Sequence, residues 1–372
     1  MKKKLRMIAG GVALITAFAG AAYMPSVSWI RGIGTGLLRQ TLIFFREPVK
    51  DRDLMGELLG GQSYFQCVEE NLSYEQICLE NQRETEWDKQ RLDVLEEQTV
   101  ETSAAVKQEE VKKQEDVRVE KLKKTKDSGY LLQNFYIVDS TTSVTKKQFQ
   151  VEKLLGANMK LVKEPGKKQV LIYHTHAASE GFADSTKKES DSVIGVGDEL
   201  TKALEKKGYG VIHDRTKYDL VQGRLDRSLA YNQALASVEK ILQKNPSIQV
   251  VIDLHRDSVG KGKHTYTTIN GKKCAIVMFF NGMSRSKNGP IPYLYNENLT
   301  DNLAFSLQLK CLAMERYPGF TKPIYLKGYR YNLHLRKRSL LIELGNENNT
   351  VEEAKNAASP LAEVIAGVLA GN

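Results

Sequence analysis

Six histidines occur in this 372-residue chain, and three of them sit in two short clusters that follow apolar runs. QVLIY (169–173) leads into His174-Thr175-His176, with Glu180 four residues beyond. QVVIDL (249–254) leads into His255-Arg256-Asp257, and SLLIEL (339–344) holds Glu343 just ahead of Gly345. Two neutral imidazoles and one carboxylate are the donor set of a hydrolytic zinc centre, leaving a fourth position where water is acidified to a pKa near ~7. A further glutamate outside the metal shell then takes the water proton and passes it to the leaving amine. On this chemistry His176 and His255 are the imidazole ligands, Glu343 is the proton shuttle, and Glu180 is the carboxylate ligand. Glu189 competes with Glu180, because it lies just before a helix from which a carboxylate can reach back to the strand end. His174 reads first as a hydrogen-bonded structural residue, with orientation of a ligand as its functional alternative. Arg256 is a supporting partner of the site, and Asp253 projects on the same side of its strand as His255. Glu343 in an apolar strand is costly to bury without a partner; the structural alternative is a salt bridge to Arg256 or Arg336. His213 and His264 have no companion motif and read as surface or loop residues.

Elements that place these groups follow from periodicity. Helical stripes run through Val193, Val196, Leu200 and Leu204, with Gly208 as the stop, and through Tyr231, Leu235, Val238 and Leu242 within 225–242, ended by Asn245-Pro246. A third helix spans 302–317, and a fourth opens with Thr350 and Glu353 in capping-box spacing. YGVIH (209–213) and AIVMFF (275–280) join the three runs above as strands. Alternation of this kind implies an α/β domain with a largely parallel sheet sandwiched by helices. Ligands of such sheets gather beyond the carboxyl ends of the strands, where the clusters fall. SRSKNG (284–289) and YRYNLHLRKR (329–338) read as solvated loops.

The chain is too long for one ordinary domain, while 41% hydrophobic and 27% charged residues describe neither a disordered tail nor a polytopic membrane protein. Residues 7–24 are an uncharged apolar run behind Lys2, Lys3, Lys4 and Arg6, long enough to span a bilayer core with the bulk of the chain outside the cytoplasm. A cleaved signal peptide is the competing reading. With either, nucleic acid is a poor counterpart for the net charge of +9, and anionic cell wall or lipid headgroups are better ones. Residues 28–46 interleave apolar residues with Arg31, Arg39 and Arg46, as an interfacial helix does. From about 80 to 126 mixed charge dominates, the texture of a solvated spacer. The expected organisation is a basic end and transmembrane anchor (1–25), a juxtamembrane segment and charged linker (26–129), and a hydrolase domain (130–372). Four cysteines form no CxxC pair, which excludes zinc ribbons and thioredoxin-type motifs; Cys67 and Cys78 can pair in an oxidising compartment, and two free thiols are an equally good reading.

VLIYHTHAASEGFADS, VVIDLHRDS, YPGFTKPIYLKGYRYN and SLLIELGNENNTVEEA together resemble the stage II sporulation protein P family of endospore-forming bacteria. The resemblance runs from about 130 to 370. It implies a relative of zinc-dependent N-acetylmuramoyl-L-alanine amidases that cleaves peptidoglycan as an amidase and endopeptidase. It also implies action during forespore engulfment beside stage II sporulation proteins D and M. By the same resemblance His176 and His255 correspond to zinc histidines and Glu343 to the glutamate of the last strand. Family members commonly place two residues between the second histidine and the next glutamate; here Ala177, Ala178 and Ser179 intervene, which keeps Glu189 beside Glu180 as a ligand candidate. Two alternatives stand next to the zinc hydrolase: an inactive wall-binding scaffold, and a zinc carboxypeptidase trimming stem peptides.

Overall fold

The computed structural model describes residues 104–372 apart from positions 187, 228 and 261. The 7–24 run, the 28–46 segment, Cys67 and Cys78 lie outside the described residues. Among those described, no helix is long and apolar enough to cross a membrane.

Seven strands form the central sheet: β1 (Tyr136–Val138), β2 (Lys168–Tyr173), β3 (Gly210–His213), β4 (Val250–Asp257), β5 (Val277–Gly282), β6 (Ile324–Lys327) and β7 (Arg338–Asn346). Their order is β1-β6-β5-β7-β4-β2-β3. Every neighbouring pair is parallel except β7 with β5, so two parallel halves meet back to back at one antiparallel seam. The carboxyl ends of β2, β4 and β7 therefore lie side by side, and Glu343 is in register with His255.

Seven α-helices are described: α1 (Ala104–Thr125), α2 (Ser128–Phe135), α3 (Val151–Gly156), α4 (Val193–Lys206), α5 (Ala230–Lys244), α6 (Leu299–Arg316) and α7 (Val351–Ala370). Crossovers through α4 and α5 join β2, β3 and β4, as parallel pairing requires. The helix boundaries carry the expected chemistry. Thr350 Oγ1 accepts from the Glu353 N–H at 3.1 Å while the Glu353 carboxylate accepts from the Thr350 N–H at 3.2 Å. Gly208, at φ +89°, takes the left-handed turn that stops the chain after α4.

The pleat divides each strand between two environments. Val170, Ile172, Val250, Ile252, Leu254, Leu340, Ile342 and Leu344 enter the main core with α1, α4, α6 and α7. Leu171, Tyr173 and Val251 pack on the other face beneath Ala230, Ala234, Val238 and Leu242 of α5. Phe280, Leu341 and Leu333 form a smaller cluster on their own.

Four expectations need correction. The charged stretch before residue 130 is not all linker: Val119 and Leu122 of α1 are buried in the main core, and the buried Glu115 accepts from the Gly319 N–H at 3.0 Å. Positions 115, 119 and 122 share one helical face, a narrow stripe hidden by the surrounding charge. The helix expected from Leu225 begins at Ala230, because Gln222 and Gly223, both at positive φ, turn Leu220–Val221 back on Arg224–Leu225 as a small hairpin. The run 275–280 is split: Asn270-Gly271 turns Tyr266–Ile269 onto Lys272–Ala275, and β5 starts afresh at Val277. The segment 329–338 is packed rather than solvated. Leu333 is buried, and the arginines serve backbone carbonyls, Arg336 Nε donating to Ile248 O at 2.9 Å and Arg338 Nε to Met159 O at 3.0 Å.

Candidate metal and proton-transfer site

Asp253, deep in β4, fastens the neighbouring strand end: Thr175 donates to its carboxylate through N–H (2.9 Å) and Oγ1 (2.6 Å). Beyond Thr175 the chain turns sharply, and the fully buried Asp219 holds the turn by accepting from the N–H groups of Ala178 and Ser179 and from Ser179 Oγ at 2.7–3.0 Å. That turn brings Glu180 back over β4. Glu180 Oε1 lies 3.1 Å from His255 Nδ1, and Oε2 accepts from the Arg256 N–H at 2.9 Å. The three residues between His176 and Glu180 are thus accommodated in a loop pinned by Asp219, a residue that carried no motif signal in the sequence.

His176 and His255 meet edge to face with ring centroids 5.3 Å apart. Burial, reinforced by the Arg227 charge, drives the His176 imidazole well below its usual range, so its nitrogens are neutral donors and acceptors. For His255 burial pulls the same way, but the Asp253 and Glu180 carboxylates override it and hold the ring well above the usual range. Asp253 Oδ1 approaches His255 Nε2 to 2.8 Å, off the direction that would give that nitrogen a hydrogen bond.

Glu343 completes the group. The residue is partly exposed, yet its Oε2 is a buried atom without a hydrogen-bond partner. Burial raises its carboxyl to about 8; His255 and Arg256 pull it down, while Asp257 and Glu180 push it up. The alternative salt bridge to Arg256 or Arg336 is not formed: Arg256 Nη1 donates to Asp257 O and lies 3.7 Å from Glu347, and Arg336 serves carbonyls.

Glu189 is placed elsewhere, its side chain in the solvent-facing company of Arg215 Nη2 (3.0 Å) and Lys217 Nζ (2.8 Å). Those hydrogen bonds keep its carboxyl below the usual range. His174 sits on the opposite side of the chain from His176, with Nδ1 2.7 Å from Leu254 O and Nε2 2.8 Å from His213 Nε2. Burial and then His213 push His174 down to about 3. His213 is therefore no loose loop residue: its ring is buried and its Nδ1 lies 3.0 Å from Asp198. The tight seat explains Gly197 of α4, where a Cβ would come within 2.6 Å of His213 Nε2 and 2.8 Å of His174 Nε2. His264, also unassigned in the sequence, pairs with Glu353 at 2.7 Å.

His176 Nδ1 and Glu343 Oε2 are buried polar atoms without hydrogen-bond partners at adjacent strand ends, and His255 Nε2 between them has only the misaligned Asp253 carboxylate at 2.8 Å. Buried polar atoms need a partner, and these are free to take water or a ligand. Imidazole and carboxylate donors suit zinc. Among the described residues no three His, Cys, Asp or Glu side chains are already arranged around a metal position. For these side chains to hold an ion, Glu180 and His255 would have to give up their mutual contact.

A family model described as stage II sporulation protein P matches residues 57–366. Stage II sporulation protein P from Bacillus subtilis (strain 168) is 32% identical over 218 residues, covering 54% of this chain and 50% of that protein. The chain thus spans about half the length of that curated relative. Among solved structures, the CwlD amidase from Clostridioides difficile in complex with the GerS lipoprotein is 16% identical, with 55% of this chain and 100% of that one covered and a TM-score of 0.33. The catalytic domain of CwlV, an N-acetylmuramoyl-L-alanine amidase from Bacillus (Paenibacillus) polymyxa var. colistinus, is 14% identical over 54% of this chain and 95% of that one, with a TM-score of 0.32. A metallo-carboxypeptidase from Burkholderia cenocepacia is 13% identical over 56% and 60%, with a TM-score of 0.28. Likeness at these scores says nothing about the reaction of this chain.

Proposed function

The chain belongs to the stage II sporulation protein P family, and from that premise we propose that it is a zinc-dependent peptidoglycan hydrolase. The bond cut is the amide between the lactyl group of N-acetylmuramic acid and L-alanine, with stem-peptide cross-links as a second target. The carrying observation is the convergence of His176, His255, Glu180 and Glu343 at the ends of β2, β4 and β7, with unpartnered buried polar atoms among them.

In this reading His176, His255 and Glu180 hold the metal, which supplies Lewis acidity toward water and the scissile carbonyl when bound. Glu343 moves the proton. Burial raises its carboxyl above the ordinary range, which favours its carrying a proton between water and leaving group. Oε2 takes a proton from the attacking water and returns it to the departing amide nitrogen. Asp253 fixes the strand end that carries His176 through Thr175, and Arg256 fixes Glu180 through its backbone N–H. Glu189, occupied by two cations, has no part in the proposed ligand set.

The proposal extends to setting: membrane attachment through 7–24, a place outside the cytoplasm, and work in engulfment beside stage II sporulation proteins D and M. Mass spectrometry of sacculi digested by the purified chain tests the reaction. Glycan strands with free lactyl carboxyls, together with released stem peptides that begin with a free L-alanine amine, are the expected products. Release of terminal amino acids alone would mark a carboxypeptidase, and an unchanged sacculus a scaffold.

A further inference from the structure

A pocket adjoins the site on the α5 face of the sheet. Tyr231 of α5 is the shared wall: its ring meets His176 edge-on at 5.4 Å and meets Tyr331 edge-on at 5.4 Å. Asn232, Leu235, Leu294, Tyr329, Arg330 and Asn332 complete the lining. The 329–332 segment is held in an uncommon conformation. Tyr331 and Asn332 follow one another at φ 50° and 56°, a left-handed pair without glycine, and Asn332 Nδ2 ties the loop to α5 by donating to Tyr231 O at 2.9 Å. Strain of this kind persists where the surroundings impose it, and it clusters at ligand sites.

Arg330 is the charged group of this pocket. Its Nη1 donates to Tyr295 O at 3.3 Å, while its Nε is buried without a partner. Among the described residues no carboxylate lies within salt-bridge distance of it; Glu239 acts only as a longer-range attraction. Burial lowers the guanidinium from its usual range, and the same uncompensated charge, after burial, helps push nearby His334 down to about 4. A half-buried guanidinium beside tyrosine side chains suits a planar anion, above all a carboxylate, which it grips through paired N–H donors.

We propose that this pocket is the peptide-side subsite of the enzyme, in which Arg330 receives a stem-peptide carboxylate while Tyr231, Tyr329 and Tyr331 pack against the peptide backbone. The inference rests on the hydrolase reading for its choice of polymer. In intact peptidoglycan the lactyl carboxyl is tied up in the amide to be cut, so the free carboxylates belong to the peptide and not to the sugars. Tyr231 links the two places, positioning His176 on one side and the peptide on the other.

The test is equilibrium binding of L-alanyl-γ-D-glutamyl-diaminopimelate to the full chain, read by calorimetry and requiring no turnover. Arg330→Gln should weaken binding on the order of tenfold to a hundredfold, and Arg330→Lys should restore only part of it. The same tripeptide with its carboxylates amidated should bind the unmodified protein as poorly as the acid form binds Arg330→Gln, an arm that no folding defect can mimic. Equal binding of acid and amidated peptides, or undiminished binding to Arg330→Gln, would overturn the proposal. So would Arg330-dependent binding of poly(glycerol phosphate) in place of the tripeptide, which would assign the pocket to a phosphate polymer. Sacculus cleavage without tripeptide binding would sink this subsite and leave the hydrolase reading standing; Arg330-dependent tripeptide binding without cleavage would do the reverse.

Discussion

On one face of the sheet Val250, Ile252 and Leu254 of β4 and Leu340, Ile342 and Leu344 of β7 sink beneath four helices. On the other face the interleaved Asp253, His255 and Glu343 stand beside His176, covered by α5 and the tyrosine loop. The same strands thus supply an apolar floor and a polar ceiling, because successive side chains point to opposite faces. Parity explains how costly groups are tolerated. Glu343 and His255 are held by strands whose alternate residues are anchored in the main core. The histidine pair 174 and 213 is the exception that shows the rule: these rings lie on the packed side, and they fit there only because α4 offers Gly197 beneath them.

Changing the polar face should hit turnover hardest. Glu343→Gln is expected to lower hydrolysis by about 10²–10⁴-fold, measured on sacculi at neutral pH. Its effect on stability has the opposite sign. A carboxyl held at about 8 when folded, against an ordinary value of 4.5, binds its proton more tightly in the folded state. Its contribution is present below about pH 4.5 and lost as pH rises through about 8. In metal-free protein the stability advantage of Glu343→Gln over the unmodified chain should therefore grow across that window, read as the difference in denaturation midpoints. A constant difference would remove the burial account of Glu343.

Changing the apolar face should do the reverse. Leu200→Ala, at a fully buried position of α4, should cost about 2–5 kcal/mol in denaturant unfolding while kcat of the folded fraction holds. Gly197→Ala tests the seam between the faces. The added methyl must displace His174 or His213, so a loss of about 1–3 kcal/mol is expected, with a smaller fall in activity as the end of β2 shifts. The smallest effect belongs to Glu189→Ala. Its two ion pairs are solvent-facing, so less than about 1 kcal/mol and no loss of metal or turnover is expected, in contrast to Glu180→Ala.

The strand ends and their histidines were legible in the sequence because apolar runs stop abruptly at polar groups, and parity placed Asp253 on the side of His255; that Glu343 joins them follows from the β7–β4 register. Less legible were contacts made by residues without a motif. Asp219 pins the 176–180 turn from a distant loop, and no local pattern announces it. His213 looked idle because its partners, His174 and Asp198, come from another strand and a helix. The spacer concealed α1 because two apolar residues and one buried glutamate on a helical face vanish in a charged average. The arginines of 329–338 looked solvated because sequence shows a charge but not the carbonyl that it serves. Glu180 and Glu189 could be parted only by the fold, which sets one beside His255 and the other among surface cations.

Zinc stoichiometry of the full chain, measured by atomic emission beside sacculus hydrolysis, bears most directly on the proposed centre. One zinc per chain in the unmodified protein and in Glu343→Gln, with none in His176→Ala or His255→Ala and turnover only in the unmodified protein, is the predicted result. Full hydrolysis by protein carrying well under one zinc per chain, or zinc retained by His176→Ala and His255→Ala alike, would contradict it.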